Sequence, residues 1–168
     1  MIEPRSANLT PHIMHRVYLS LGSNLGNRKR NIREAITRIG ELIGDVERQS
    51  SLYETKPWGY SSPNDFINVC VCVLTPLAPR QLLEATQHVE QEMGRTLKSV
   101  NGEYHDRIID IDILLYDNLH INEPDLQIPH PLMDQIRERA KETPLTSVTL
   151  DDIKTEKRLE LCLAPCAP

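Results

Sequence analysis

The stretch Phe66–Leu74, FINVCVCVL, is the most strand-like part of this sequence. Its apolar and β-branched residues occupy both alternating faces, which predicts a central strand that is covered on both sides. Arg16–Leu21, RVYLSL, and Ile108–Leu115, IIDIDILL, have the same character, and Val46–Tyr53 alternates less regularly. The sequence therefore predicts four strands, with Phe66–Leu74 near the middle of the sheet.

Two amphipathic helices are predicted between these strands. In Arg28–Ile43 the apolar residues recur at helical spacing opposite a basic face, and Gly44 follows as a helix end. A second helix is predicted over about Arg80–Met93, before Gly94. The order strand, helix, strand, strand, helix, strand is typical of α+β ferredoxin-like βαββαβ folds, in which an antiparallel sheet carries both main helices on one face. The other face is then available for a ligand.

Length and composition fit one domain, because 168 residues with 39% hydrophobic content can build one shared core. Residues 1–15 are expected to be a flexible N-terminal arm without a secretory signal, and residues 16–168 a single domain. A short helix is expected near Gln135–Lys141. The absence of a long apolar window argues against a membrane span, and the net charge of −5 argues against nucleic acid as a partner. A cytoplasmic monomer is expected, with a dimer as the alternative.

Asp110 and Asp112 lie two residues apart in the last predicted strand, so both carboxylates project from one face, roughly 7 Å apart. Adjacent carboxylates in an apolar strand repel each other and are costly to desolvate unless a cation lies between them. Oxygen ligands at this spacing suit Mg²⁺, which completes its coordination with water and phosphate. The alternative is an edge strand with two solvated aspartates, and the flanking isoleucines argue against it.

Three cationic residues accompany these carboxylates in the sequence. Arg107 lies three residues before Asp110, and Arg95 opens the preceding polar loop. Cations beside paired carboxylates indicate a ligand with more negative charge than a metal can neutralise, and phosphate is the usual one. His130 is stiffened by a proline on each side and could donate to phosphate. The alternatives are surface salt bridges for the arginines and a simple turn for the histidine.

Phe66 and Asn68 are predicted to share one face of the central strand with Cys70 and Cys72. An asparagine within an apolar strand is costly unless its amide finds partners. A flat aromatic ring beside an amide that both donates and accepts suits a planar heterocycle. The alternative is a packed phenylalanine and an asparagine satisfied by the backbone. The two cysteines are predicted to be core thiols, because their spacing lacks the geometry of a usual disulfide.

These motifs, in this order, resemble the 6-hydroxymethyl-7,8-dihydropterin pyrophosphokinase family, a folate-pathway family that moves pyrophosphate from ATP to a pterin hydroxymethyl group. The matching region spans about Arg16–Met133. Its blocks are LGSNLGNR at Leu21–Arg28, SSLYETKPWG at Ser50–Gly59, DFINVCV at Asp65–Val71, TQHVEQEMGR at Thr86–Arg95, RIIDIDILLY at Arg107–Tyr116 and IPHPLM at Ile128–Met133. The resemblance implies the ferredoxin-like fold and a diphosphotransferase activity.

The resemblance also implies a role for each matching residue. Two Mg²⁺ ions that bridge the triphosphate of the co-substrate ATP are expected at Asp110 and Asp112. The catalytic residues are expected to be Arg95, Arg107, Asp110 and Asp112. The ATP-binding residues are expected to be Gln87, Glu90, Arg95, Lys98, Tyr104, Arg107, Ile113 and His130. Hydroxymethyl-dihydropterin is expected to bind to Thr55, Lys56, Trp58, Phe66 and Asn68, with the Phe66 ring stacked on the pterin.

Two polar loops, Glu54–Asn64 and Arg95–Arg107, are expected to act as lids that exclude water. The sequence from about residue 134 diverges from the family pattern. No aromatic residue follows Tyr116, which predicts weaker pterin binding because a second stacking ring is missing. The alternative function is therefore a catalytically weak pterin- or nucleotide-binding relative with a regulatory role. A third interpretation is a ferredoxin-like regulatory domain whose aspartates lie on the surface.

Overall fold

The computed structural model describes residues 13–57, 62–94 and 106–133. Within these ranges the strands are β1 (His15–Ser23), β2 (Asp45–Gln49), β3 (Tyr53–Thr55), β4 (Phe66–Thr75), β5 (Asp110–Tyr116), β6 (Ile121–Glu123) and β7 (Leu126–Ile128). The helices are α1 (Arg28–Leu42) and α2 (Pro79–Glu92). Both predicted helices are confirmed, as are the predicted strands that correspond to β1, β4 and β5. The predicted helix at Gln135–Lys141 lies outside the described residues, as do residues 1–12 of the predicted N-terminal arm.

One antiparallel sheet contains five strands in the order β2-β4-β1-β5, with β3 also paired to β4. β4 therefore has neighbours on both sides, as its continuous apolar sequence predicts. β6 and β7 form a separate antiparallel hairpin. The described chain is an α+β arrangement of one antiparallel sheet with two helices. No helix in the described ranges is long and apolar enough to cross a membrane.

The prediction of one strand over Val46–Tyr53 is wrong, because two strands, β2 and β3, occupy this region. Ser50, between them, is buried. Its hydroxyl accepts a hydrogen bond from the backbone N–H of Cys70 at 2.8 Å and donates to the carbonyl of Ser51 at 2.8 Å. The chain can leave the regular ladder here because a short side chain takes over the hydrogen bond of a buried amide.

The sequence also predicts a short hairpin arm over Tyr116–Ile121, but the hairpin lies later in the chain, at β6 and β7. After β5 the backbone instead turns at Asp117, whose φ of 46° lies in the left-handed region that aspartate tolerates. The backbone N–H of Asp117 donates to the carbonyl of Arg16 at 2.9 Å, and its carboxylate accepts from the N–H of Arg16 at 2.8 Å. Asp117 thus fastens the end of β5 to the start of β1.

The larger core cluster combines both helices with alternate residues of the central strands. From α1 and α2 it includes Ile32, Ala35, Ile39, Leu82 and Val89, and from the sheet Val17, Leu19, Leu21, Ile67, Val69, Val71, Val73, Ile111 and Ile113. Full burial of one such side chain contributes about 1.5–3 kcal/mol relative to exposure. Period-2 alternation in the strands therefore selects the residues that pack with the helices.

Other residues of β1, β3, β4 and β5, together with Met133, form a second, smaller core cluster. It consists of Tyr18, Tyr53, Cys70, Cys72, Leu114, Leu115 and Met133. Cys70 and Cys72 are buried free thiols, which confirms that they are core residues. Phe66 and Asn68 continue the face of Cys70 and Cys72 towards the start of β4, where the character of this face changes from apolar to polar.

Candidate active site

The pairing of β4, β1 and β5 brings the two groups of predicted site residues onto one face of the sheet. Gly22 in β1 is paired with Asn68 in β4 and with Asp110 in β5. One step along, Ser20 is paired with Asp112. Paired residues in neighbouring strands point to the same side of a sheet. The amide of Asn68 and the two carboxylates therefore lie on one face and flank β1 from either side.

Gly22, which has no side chain, allows Asn68 and Phe66 to approach β1 closely. A Cβ atom at this position would lie 2.9 Å from Oδ1 of Asn68 and 3.3 Å from Cδ1 of Phe66. Both side chains consequently lean over β1 at the point where it has no side chain. Sequence reasoning missed this role, because GSNLG at Gly22–Gly26 reads only as a turn. The signal was present as a glycine that belongs to a strand, which often marks a close approach of another group.

Asn68 is oriented by the neighbouring strand β3. Its Nδ2 donates to the hydroxyl of Thr55 at 2.7 Å and, more weakly, to the carbonyl of Tyr53 at 3.4 Å. Thr55 is also the register partner of half-buried Phe66. The structure therefore brings together Thr55, Phe66 and Asn68, three of the five predicted pterin-binding residues. Lys56 follows directly at the end of β3 with its side chain exposed.

The carboxylate side of the site contains a close ion pair. Nη1 of Arg107 lies 2.8 Å from Oδ1 of Asp110, and these two side chains are 12% and 24% exposed. Asp112 is more open, with 45% of its side chain exposed, and its Oδ1 lies 3.9 Å from Nε2 of His130. The structure thus brings together Arg107, both aspartates and His130, as the sequence predicts. A guanidinium is the side chain whose paired N–H donors suit both carboxylate and phosphate oxygens.

His130 is held in a defined orientation by backbone groups. Its N–H donates to the carbonyl of Leu114 at 3.0 Å, and its Nδ1 accepts from the N–H of Leu132 at 3.1 Å. Because Nδ1 acts as an acceptor, the proton of the neutral ring is on Nε2, the atom that faces Asp112. Burial lowers the pKa of His130 below its ordinary value, and the negative charge of Asp110 offsets only part of this effect. At neutral pH the ring is therefore a neutral hydrogen-bond donor at Nε2.

Three further predicted ATP-binding residues belong to α2 or to the core side of β5. Glu90 in α2 is buried, and its Oε2 accepts from the backbone N–H of Ile111 at 3.3 Å. Ile113 belongs to the larger core cluster. Gln87 is half-buried one helical turn before Glu90. The structure brings Glu90 to the edge of β5 between the two aspartate positions, but it does not bring Ile113 to their face.

The remaining predicted site residues are not described by the structure. Trp58, Arg95, Lys98 and Tyr104 lie outside the described residues, so only the ends of the two predicted lid loops can be placed. Among residues 13–57, 62–94 and 106–133, no group of three or more histidine, cysteine or acidic side chains is arranged to hold a metal ion. Within these ranges, Asp110 and Asp112 therefore cannot form an all-protein metal cage.

The described stem of the first polar loop surrounds an open polar cavity of about 300 Å³. Arg28, the first residue of α1, bridges the two ends of this stem. Its Nη1 donates to the carbonyl of Asp65 at 2.8 Å and lies 3.6 Å from Oε1 of Glu54. Asn24 also lines this cavity and is itself buried. Sequence reasoning missed both residues, because their partners are distant in the chain.

One face of the sheet thus carries an aromatic ring and an amide, Phe66 and Asn68, near a cluster of charged and polar side chains. That cluster consists of Arg107, Asp110, Asp112 and His130. The family model described as 7,8-dihydro-6-hydroxymethylpterin-pyrophosphokinase (HPPK) matches residues 18–142. The chain belongs to the HPPK family. This confirms the resemblance found in the sequence motifs and makes the chain a diphosphotransferase.

Bacterial relatives support the assignment to the HPPK family over most of the matched region. The chain is 47% identical to a 2-amino-4-hydroxy-6-hydroxymethyldihydropteridine pyrophosphokinase of Porphyromonas gingivalis over 120 residues, which cover 71% of this chain and 82% of the relative. It is 40% identical to the enzyme of the same name from Bacillus subtilis over 117 residues, which cover 69% and 68% of the two chains.

A solved structure supports the fold. The crystal structure of wild-type Plasmodium falciparum HPPK-DHPS with STZ-DHP aligns with a TM-score of 0.56 and 15% sequence identity. The alignment covers 90% of this chain and 42% of that chain. At this level of identity the likeness concerns the fold alone.

Proposed function

We infer that this HPPK transfers pyrophosphate from ATP to the hydroxymethyl group of 6-hydroxymethyl-7,8-dihydropterin, giving AMP and the pterin diphosphate in folate biosynthesis. The observation that carries this inference is the shared sheet face. Asn68 on β4 and Asp110 on β5 are both register partners of Gly22. A heterocycle bound over Phe66 and Asn68 therefore lies directly beside the carboxylates that handle a triphosphate.

The pterin is proposed to stack on Phe66 and to be read at its edge by Asn68. The bond from Nδ2 of Asn68 to Thr55 fixes which way the amide points, and Oδ1 is the atom that lies over Gly22. In this orientation Oδ1 accepts a hydrogen bond from a ring N–H or amino group. Lys56 and Trp58 are proposed to complete this pocket at the start of the first loop.

Asp110 and Asp112 are proposed to hold Mg²⁺ together with ATP. Two carboxylates on one strand face, without a third acidic ligand in the described ranges, fit a metal that takes its remaining ligands from phosphate and water. They do not suit a closed structural site. When bound, Mg²⁺ would neutralise phosphate charge at the reacting end of the triphosphate. Two ions are expected, as the family resemblance implies.

The side chains of this HPPK are proposed to act mainly by alignment and charge. Arg107, fixed against Asp110, donates to phosphate oxygens on which negative charge develops. His130 donates from Nε2, and because that atom carries a proton it does not serve as a base. The pterin hydroxyl attacks the β-phosphorus of ATP in line and AMP leaves, a reaction that needs positioning more than covalent help. Arg95 is proposed to contribute a second guanidinium.

Gln87, Glu90, Lys98, Tyr104 and Ile113 are proposed to contact the nucleotide. The two polar loops are proposed to close over both substrates and exclude water, which would suppress hydrolysis of ATP.

We also propose the ferredoxin-like arrangement for the domain, with both helices on one face of the sheet. The strand order β2-β4-β1-β5 and the shared cluster of α1 and α2 residues support it. The enzyme is proposed to work in the cytoplasm as a monomer, with small molecules and no nucleic acid as partners.

The test is AMP formation from ATP and Mg²⁺, with and without fresh hydroxymethyl-dihydropterin. AMP is expected only when the pterin is present, and Asp110→Ala is expected to abolish it. Asp125→Ala is the matched control, because Asp125 is an exposed aspartate paired with Arg80 in another part of the molecule. If the folded wild-type protein released no AMP, the proposal would fail. Tight pterin binding by calorimetry without turnover would then favour the alternative of a binding protein.

A further inference from the structure

Asn24 makes two hydrogen bonds to the backbone of Arg107, one to its carbonyl and one to its N–H. Its backbone N–H donates to the carbonyl of Arg107 at 2.9 Å, and its side-chain Oδ1 accepts from the backbone N–H of Arg107. Asn24 is only 2% exposed. Arg107 immediately precedes the turn into β5, and its guanidinium reaches Asp110. The position of this guanidinium therefore depends on two hydrogen bonds made by a residue that follows β1.

Asp106 joins this clamp to the other side of the site. Its Oδ1 accepts from Nδ2 of Asn24 at 2.8 Å, and its Oδ2 accepts from Nδ2 of Asn64 at 2.9 Å. Nδ2 of Asn24 also donates to the backbone carbonyl of Asn64 at 3.2 Å. A carboxylate that accepts from two amides makes charge-assisted bonds, which are stronger and more directional than neutral ones. We call Asn24, Asn64 and Asp106 the loop-stem cluster.

The loop-stem cluster connects the ends of the two polar loops, one next to the proposed pterin site and one next to the proposed phosphate site. Asn64 ends the first polar loop, two residues before Phe66, and Asp106 ends the second polar loop, one residue before Arg107. In the described ranges β1 lies between β4 and β5, so the two strands that follow these loops do not pair with each other. The cluster therefore links the segment that leads to Phe66, the proposed pterin-stacking residue, with the segment that leads to Arg107, the proposed phosphate-binding residue.

We propose that Asn24, Asn64 and Asp106 are positioning residues that set Arg107 relative to Phe66, so that the two substrates are held at the distance that in-line transfer needs. The inference rests on the proposed function, since it assigns Phe66 to the pterin and Arg107 to phosphate. Small displacements of aligned groups reduce rates strongly, because the reaction depends on orientation. The loop-stem cluster thus acts on turnover through Arg107 without touching the substrates.

The decisive variants exchange donor and acceptor within the cluster. Asp106→Asn keeps the shape but turns an NH₂ group towards one of the two amide donors, so one hydrogen bond is lost. Combining it with Asn64→Asp restores both bonds, because residue 106 then accepts from Asn24 and donates to residue 64. The double variant also keeps the net charge of the wild type. A double-mutant cycle isolates this pairwise interaction.

Steady-state AMP formation is measured at saturating and limiting concentrations of each substrate. Asp106→Asn is expected to lower kcat by about tenfold, a smaller loss than the roughly 10²-fold that a misplacement of about 1 Å can cause. The double variant Asn64→Asp/Asp106→Asn is expected to recover most of this loss. Asp125→Asn, the same chemical change at an exposed site, is expected to leave kcat and both KM values unchanged. Circular dichroism and thermal melting establish that each variant is folded at the assay temperature.

The outcomes separate this inference from the proposed function. An inactive wild-type enzyme contradicts the proposed function itself. If the wild type is active and folded Asp106→Asn retains its kcat and both KM values, the loop-stem cluster has only a structural role and the inference is wrong. A double variant no faster than the slower single variant also overturns it. Asn64→Ala, which removes one donor only, provides the same comparison should Asp106→Asn not fold.

Discussion

The two faces of the sheet are built from alternate residues of the same strands. They differ in how far the apolar side chains extend along each strand. The face that contributes to the larger core cluster is apolar along its whole length, from Ile67 to Val73 in β4. The opposite face is apolar around Cys70 and Cys72, and towards the start of β4 it carries the polar amide of Asn68 beside the Phe66 ring. A single strand can therefore stabilise the fold along one face and carry a binding site at one end of the other.

The polar end of the second face is tolerated because its groups have partners. Asn68 donates to Thr55, and Asp110 pairs with Arg107. Buried or half-buried polar groups cost free energy only when they lack such partners. Substitutions on the two faces should consequently separate activity from stability, and the following predictions use that contrast.

The largest effect is expected from Asp112→Asn on the polar face. Removal of one carboxylate from the proposed metal and phosphate site is expected to lower kcat by about 10²–10³-fold, comparable to the loss of one charge-stabilising group in other enzymes. The free energy of unfolding should change by less than about 0.5 kcal/mol, because nearly half of the side chain is exposed and Asn keeps its shape. AMP assays and urea denaturation measure the two quantities. A large stability loss with intact turnover would remove the contrast between the faces.

The mirror-image result is expected from Leu19→Ala on the apolar face. Leu19 is fully buried in the larger core cluster, so its truncation is expected to cost about 2–5 kcal/mol of unfolding free energy. The kcat of the fraction that remains folded should stay close to that of the wild type. Urea denaturation gives the stability, and titration of folded protein by circular dichroism normalises the rate. A fall in kcat as large as that of Asp112→Asn would show that the faces are not independent.

An intermediate effect is expected from Gly22→Ala, which places a methyl group between the two halves of the site. The new Cβ would lie 2.9 Å from Oδ1 of Asn68, so that the amide and Phe66 must shift. The KM for the pterin is expected to rise by about tenfold, the equivalent of roughly 1.4 kcal/mol of lost binding, while the KM for ATP changes less. Initial rates at varied pterin concentration measure this.

Gly40→Ala is the matched control for Gly22→Ala. Gly40 lies inside α1, and a Cβ there would have no neighbour within 4 Å. This variant is expected to gain about 0.5–1 kcal/mol of stability through the better helix propensity of alanine, with unchanged KM values. Equal KM effects at both glycines would argue against a specific role for the close approach of Asn68 and Phe66 to Gly22.

The smallest effect concerns pH and His130. Because burial lowers the pKa of His130 in the folded state, the unfolded chain binds a proton more readily. The stability contributed by the neutral ring is fully present above pH 6.5 and is lost as the pH falls below it. His130→Gln is expected to show a shallower decrease in unfolding free energy between pH 7.5 and 5.5. Parallel decreases in both proteins would contradict this assignment.

The sequence predicts the face of each strand residue well, and the cross-strand register poorly. Period-2 alternation is enough to place Phe66 with Asn68 and Asp110 with Asp112. The position of Gly22 between them depends on how far the strands slide along one another, which turns and long connections determine. The break at Ser50 was likewise hidden, because its side-chain bond to Cys70 replaces a regular ladder contact only in the folded sheet.

The loop-stem cluster shows the same limit for the site. Asn24, Asn64 and Asp106 are separated by up to 82 residues along the chain. In the sequence, each is a polar residue of a type that is common in ordinary turns. Their hydrogen bonds exist only once both loops have returned to the sheet. The family resemblance identified chemical groups that touch substrates, whereas groups that hold other groups in place needed the three-dimensional contacts.

The hydrogen bond between Glu90 and Ile111 has a consequence for the behaviour of the protein in concentrated solution. In the part of the chain that the structure describes, β5 lies at the edge of the sheet, and the outward N–H of Ile111 would be a template for pairing with another molecule. The carboxylate of Glu90 already occupies that N–H. A second chain that added a strand here would have to displace the buried side chain of Glu90, so this edge beside Asp110 and Asp112 is protected against pairing with another strand.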